Sequence, residues 1–266
     1  MPLLTHPRPR PRAALALTGL LLLTLAGGAA AQDGSGSAPD AGSGVPVSPD
    51  PAAGPVTFDD NATPATPTPG AIVEPAPIGW DHVTIWPDGR TLTVYFWNGA
   101  EACYGLDHVA LTDVGGVLAI TLFTGFRVDA SNVRCIEIAQ LYSTLITLET
   151  PMLGGGLPGV AGAQAPSGSA PTTILPGTAL LVENIQPWER VSVGPDGASL
   201  WVWLTGGPEP CFGLGRVELQ DIGGLPMLQL ITGAPVGSET MDCVAMILEY
   251  RTPAALPTPI LLGGLS

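Results

Sequence analysis

From residue 80 onward, apolar and polar positions alternate in short runs broken by Gly, Pro and Asp, and no segment carries a convincing 3.6-residue period. Val83 to Trp86 reads as a short strand, followed by Pro87-Asp88-Gly89, in which proline presets φ and glycine tolerates a positive one. Thr91 to Trp97 is the most strand-like segment, rich in β-branched and aromatic residues. His108 to Thr112 and Val117 to Phe123 follow, joined by the hairpin loop Asp113-Val114-Gly115-Gly116. A last strand is predicted from near Cys135 to Leu148, with a break or bulge.

The whole pattern then repeats. Residues 80–157 align with residues 188–265 at a constant offset of 108 without a gap. Trp80, Pro87-Asp88-Gly89, Glu101, Cys103, Asp113, Cys135, Tyr142 and Pro151 recur as Trp188, Pro195-Asp196-Gly197, Glu209, Cys211, Asp221, Cys243, Tyr250 and Pro259. Such a register marks a duplicated structural unit, and what both copies keep is what the fold requires. The predicted fold class is all-β: two tandem homologous antiparallel units of about five strands, each a small sandwich or partly closed barrel. The expected organisation is a signal peptide at 1–31, a low-complexity stalk at 32–70, β-repeat one at 71–157, a flexible linker at 158–177 and β-repeat two at 178–266. The tract from Ala62 to Pro69 alternates Pro with Thr and Ala and reads as a stiff extended spacer, and Asn61-Ala62-Thr63 fits a glycosylation sequon. A linker of Gly, Ser, Ala and Pro imposes little geometry on how the copies sit together.

The leader changes the charge. Arg8, Arg10 and Arg12 precede an apolar run from Ala13 to Ala31 that ends in small residues, so export with cleavage after Ala31 is predicted. An uncleaved anchor is the rival reading of this run, and no later stretch is long and apolar enough to span a membrane. The first cysteine is Cys103, so the cleavage site carries none to lipidate. Losing three arginines takes the net charge from −14 to −17, six arginines against 23 acids, with no lysine. A surface this acidic repels phosphate backbones and argues against nucleic-acid binding. In an exported chain, equivalent cysteines in equivalent folds pair alike, giving Cys103–Cys135 and Cys211–Cys243. Zinc is the alternative use of these residues, but neither a Cys-x-x-Cys nor a shared histidine is present.

Chemistry is sparse. In the second predicted strand both faces are apolar: Leu92, Val94 and Phe96 alternate with Thr93, Tyr95 and Trp97, and Leu200, Val202 and Leu204 with Trp201 and Trp203. Either both faces are buried, or Tyr95, Trp97, Trp201 and Trp203 form an aromatic platform for sugar rings or an apolar partner. Those four are the candidate ligand-binding residues. Glu101 and Glu209 stand two residues before a cysteine, with no second shared acid beside them, and Asp88 and Asp113 lie in turns, where an aspartate accepts backbone N–H bonds. His82 and His108 become Arg190 and Arg216 in the second copy, so histidine-dependent catalysis is confined to the first. No Gly-x-Ser-x-Gly elbow, His-Glu-x-x-His or phosphate-binding glycine loop is present, and no catalytic residue, metal site or cofactor is assigned.

At Leu92-Thr93-Val94-Tyr95-Phe96, Cys103-Tyr104-Gly105-Leu106-Asp107-His108-Val109, Cys135-Ile136-Glu137-Ile138-Ala139 and Leu148-Glu149-Thr150-Pro151-Met152-Leu153-Gly154, the chain resembles a group of exported bacterial proteins that lack an established function. That resemblance implies a disulfide-bonded β module and brings no catalytic residue with it. The expectation is an exported, non-enzymatic protein that binds a ligand or partner, such as a cell-envelope glycan or protein, or that serves the envelope structurally. Carbohydrate or apolar-partner recognition through the aromatic strand face is one alternative. A hydrolase using first-copy carboxylates such as Glu101 and Asp107 is the other.

Overall fold

The computed structural model describes residues 45–46, 61–157 and 171–265. The leader, most of the stalk and most of the linker lie outside the described residues. The first copy contributes β2 (Thr63–Pro64), β3 (Ile72–Ile78), β4 (His82–Ile85), β5 (Thr91–Asn98), β6 (Tyr104–Val114), β7 (Val117–Arg127), a 3₁₀ turn (Val128–Asn132) and β8 (Gln140–Thr147). The second contributes β9 (Thr172–Thr173), β10 (Asn184–Gln186), β11 (Arg190–Val193), β12 (Ser199–Gly206), β13 (Gly213–Ile222), β14 (Leu225–Gly233), β15 (Leu248–Ala255) and β16 (Leu261–Leu262). A short β1 (Val45–Pro46) pairs with β13. The protein is built from β-structure, and its sheets are open. Among the described residues no helix is long and apolar enough to cross a membrane.

The hairpins follow the sequence. Asp88 accepts hydrogen bonds from the N–H groups of Arg90 and Thr91 and closes the β4–β5 turn, and Asp196 does the same for Ala198 and Ser199. Asp113 and Asp221 accept from Gly116 and Gly224 in the next hairpin of each copy. Both expected disulfides are formed, with Cα–Cα distances of 5.8 Å and 5.9 Å. The last strand starts later than expected, at Gln140, because residues 133–139 leave the sheet after the 3₁₀ turn.

The two copies are joined, not merely tethered. β4 pairs antiparallel with β11, and this pair fuses the copies into one eight-stranded sheet of order β2-β8-β5-β4-β11-β12-β15-β9. Thr84 faces Ser192 across the join, 108 residues away, so each stands opposite its own counterpart. That register defines a pseudo-two-fold axis through the centre of the sheet. One face of the sheet presents Val83, Ile85, Leu92, Val94, Val191, Val193, Leu200 and Val202, all buried. Leu106, Ile120 and Leu122 of β6 and β7, and Leu214, Leu228 and Leu230 of β13 and β14, complete a continuous core against it.

The segments after the last strands cross between copies. β16 of copy two adds parallel to β7 of copy one, with Leu261 opposite Leu118, while Gly154 of copy one bridges Met227 of copy two. Trp80 Nε1–H donates to the Leu262 carbonyl at 3.2 Å, and Trp188 Nε1–H to the Gly154 carbonyl at 3.0 Å. Both indoles are fully buried, so each tail is held by the other copy's tryptophan. The Thr-Pro tract read as spacer and the end of the segment read as linker (158–177) also take part: Thr63 and Pro64 pair with Tyr142 and Ser143 of β8, and Thr172 and Thr173 with Tyr250 and Arg251 of β15.

Candidate ligand site

The four aromatic candidates lie on the face of the eight-stranded sheet opposite the core, as alternation along β5 and β12 requires. Tyr95, Trp201 and Trp203 are 8%, 7% and 3% exposed, whereas Trp97 is 46% exposed. Tyr95 stacks on His82 with ring centroids 4.0 Å apart, and the Arg190 guanidinium lies 4.5 Å from the Trp203 centroid. His82 and Arg190 are counterparts, as are Tyr95 and Trp203, so each copy sets a basic side chain on an aromatic ring of the neighbouring strand. Arg251 covers Trp201 at 4.7 Å. Such pairs contribute about 0.5–2 kcal/mol and serve packing. A platform needs accessible rings, and of the four only Trp97 offers one.

Trp97 has its own network. Its Nε1–H donates to Asp81 Oδ1 at 3.0 Å, and Asp81 Oδ2 lies 2.8 Å from His82 Nδ1. The hydrogen bond with His82, and behind it that with Trp97, holds the Asp81 carboxyl below its ordinary range against the opposing effect of burial. Asp107 is held similarly, by the His108 ring at 2.7 Å and the Gly70 N–H at 3.0 Å, at the bulge between Leu106 and His108. Among the described residues no group of three or more His, Cys, Asp or Glu is placed to hold a metal ion.

A cavity of about 200 Å³ opens in the first copy, and no sequence argument singled it out. It is lined by buried Phe96, Leu106 and Tyr142, by half-buried Tyr104, Asn98 and Arg127, and by exposed Glu101. Residues 64–68 cross it as a strap. Ala65 N–H donates to the Ser143 carbonyl at 2.7 Å, and Thr68 N–H to the Leu106 carbonyl at 2.9 Å, so the strap is tied to β8 at one end and β6 at the other. The Tyr142 hydroxyl lies 2.8 Å from both the Gly99 carbonyl and Gln140 Oε1. Burial, aided by the Glu101 charge, raises its pKa. Arg127 donates from Nε and Nη2 to the two oxygens of Asp129, at 3.0 Å and 3.1 Å. Glu101 therefore edges a concave site, while Asp107 is not among the residues that line it. The available signal was the Thr-Pro tract ahead of copy one and its echo, Pro171-Thr172-Thr173-Ile174-Leu175-Pro176-Gly177, ahead of copy two.

The architecture is that of an open, all-β protein with two internal disulfides and a pseudo-two-fold sheet. Comparison with protein-family models, with curated proteins and with solved structures finds no match to this chain.

Proposed function

We propose that this is an exported, non-enzymatic protein whose two fused β copies form a rigid scaffold for binding a ligand or partner. The observation that carries this reading is the employment of the residues both copies keep. Trp80 and Trp188 hold tails, Asp88, Asp113, Asp196 and Asp221 close turns, Tyr142 and Tyr250 reach the carbonyls of Gly99 and Gly207, and the cysteines are cross-linked. Apart from Glu101 and Glu209, this shared chemistry is committed to construction, and what distinguishes one copy from the other is left for recognition. Two disulfides suit an oxidising compartment outside the cytoplasm, in keeping with the leader. Sugar or apolar-partner recognition through the aromatic face is the second reading, and the half-exposed indole of Trp97 is what favours it.

The mature chain is to be screened against simple ester, peptide and glycoside substrates, in parallel with glycan-array and pull-down capture. The reading expects capture without turnover. Saturable turnover that disappears in His108→Ala or Glu101→Gln would replace it with an enzymatic one.

A further inference from the structure

The duplication supplies an internal control for the cavity. Ala65 and Ile174 occupy the same place in the two copies: each donates its N–H to the last strand, to Ser143 at 2.7 Å and to Arg251 at 2.9 Å, and those acceptors are counterparts. Ile174 is 4% exposed and belongs to the continuous core, whereas Ala65 is only partly buried and borders the open space. The branched side chain that fills the second copy is missing from the first.

A second difference acts in the same direction. In copy two the Phe212 ring packs on Gly206 and stacks on Tyr250 with centroids 5.4 Å apart. Any side chain at position 206 would collide with that ring. Its counterpart in copy one is Asn98, which denies Tyr104 the same pose. Tyr104 packs instead against Gly99 and on Phe126, 4.4 Å between centroids. Ala65 in place of Ile174 therefore removes volume beside this space, and Asn98 in place of Gly206 sets Tyr104 in a different pose from Phe212.

The lining defines what the space accepts. Phe96, Leu106 and Tyr142 offer an apolar base, and Ile174 shows that a branched aliphatic group suits the equivalent position. An apolar cavity of about 150 Å³ admits a benzene-sized molecule, so the space here takes a body of roughly six to eight heavy atoms. At the opening, Arg127 is engaged by Asp129 through Nε and Nη2 and also feels the Glu101 charge, so two carboxylates face one guanidinium and the local balance is negative. The net charge of −14 further disfavours an anion.

We propose that the first copy binds a small molecule with a compact branched apolar body and a cationic amino head. The body sits on Phe96, Leu106 and Tyr142, the ammonium group meets Glu101, and the second copy has lost the equivalent site. This assignment rests on the reading of the protein as a binding scaffold and names the ligand class for it.

The test is an NMR titration of the mature protein with isopentylamine and, separately, isopentyl alcohol. Saturable shifts confined to Ala65, Leu106, Tyr104 and Tyr142 are expected, with the amine bound the tighter. Ala65→Ile should abolish binding of both probes while leaving the spectrum of copy two unchanged. Glu101→Gln, at an exposed position, should weaken the amine about tenfold and leave the alcohol within about twofold. It keeps the test decisive if Ala65→Ile disturbs the strap. Wild-type affinity in Ala65→Ile, equal binding of the amine before and after Glu101→Gln, or no saturable shift at these residues would each overturn the proposal. Absence of probe binding alongside capture of a glycan or protein would sink this site and leave the scaffold reading standing, whereas turnover would remove the scaffold reading itself.

Discussion

Thr84 Oγ1 and Ser192 Oγ lie 3.1 Å apart at the centre of the eight-stranded sheet, both buried, each the other's counterpart across the duplication. The pair marks the pseudo-two-fold axis, and its hydroxyls satisfy one another where the copies meet. Removing one partner leaves a buried hydroxyl without the other, at a cost of about 1–3 kcal/mol, whereas removing both takes away the need. Thr84→Val and Ser192→Ala should each lower stability in urea unfolding, and the double variant should lose less than the sum of the two. Strict additivity would show that the hydroxyls do not depend on one another.

Tail exchange makes a directional prediction. Trp80 belongs to copy one, yet it exchanges backbone hydrogen bonds with Gly263 and Leu265 and donates from its indole to Leu262. Trp80→Phe keeps most of the apolar volume and deletes the indole donor, at a net cost of about 1 kcal/mol. Amide exchange should accelerate at Leu265 of copy two, whose N–H donates to the Trp80 carbonyl, with the tail of copy one unaffected. Trp188→Phe should do the reverse, speeding exchange at Gly154 and Leu157. Faster exchange in the tail of the substituted copy itself would contradict the crossing.

The glycines of the tails bear on the same contact. Gly155 and Gly263 adopt φ of 92° and 100°, and a Cβ at either would run into a carbonyl of the other copy, Leu228 or Ile120. Gly155→Ala and Gly263→Ala combine backbone strain with collision and should each cost about 2–4 kcal/mol, measured by denaturant unfolding. Gly223→Ala has φ of 66° but open space around its Cβ, so strain alone applies and about 1 kcal/mol is expected. Equal losses at all three would mean that the cross-copy contact adds nothing.

These contacts explain which parts of the molecule the sequence disclosed. Turn aspartates, hairpins and cysteine pairings are local or repeat themselves, so Asp88, Asp113 and the separation of 32 residues between paired cysteines were legible. Long-range pairing was not. Val83-Thr84-Ile85 reads as a short strand, but nothing in its residues says that its partner is Val191-Ser192-Val193 of the other copy. Pro64 and Ala65 have the composition of a spacer and enter the fold because Tyr142 and Ser143 offer them a sheet edge. The same tertiary event builds the strap, so the cavity could not be foreseen from a strand count. The apolar character of both faces of β5 and β12 was legible. The division between buried Tyr95, Trp201 and Trp203 and half-exposed Trp97 depends on Asp81, His82, Arg190 and Arg251, which the sequence does not place beside them.

Acid should weaken the fold through its turns. Burial opposes ionisation of Asp88 and Asp196, but hydrogen bonds from the Thr91 and Ser199 hydroxyls and from neighbouring backbone N–H groups outweigh it and hold both carboxyls below the ordinary value. Asp81, Asp107, Asp129 and Glu183 are lowered as well, by His82, His108, Arg127 and Arg216 respectively. For a carboxyl depressed on folding, the unfolded chain binds the proton more readily. The stabilisation is therefore complete above the unfolded pKa of about 3.9–4.3 and is lost as pH falls through the lower folded value. The urea midpoint should accordingly be level with respect to these groups from about pH 7 to pH 5 and decline below about pH 4. Asn keeps an acceptor for the turn N–H groups but does not titrate, so Asp88→Asn with Asp196→Asn should start from lower stability at neutral pH and decline less steeply in acid. A decline of wild-type steepness in that double variant would show that the turn carboxylates do not carry the acid response, leaving it to Asp81, Asp107, Asp129 and Glu183.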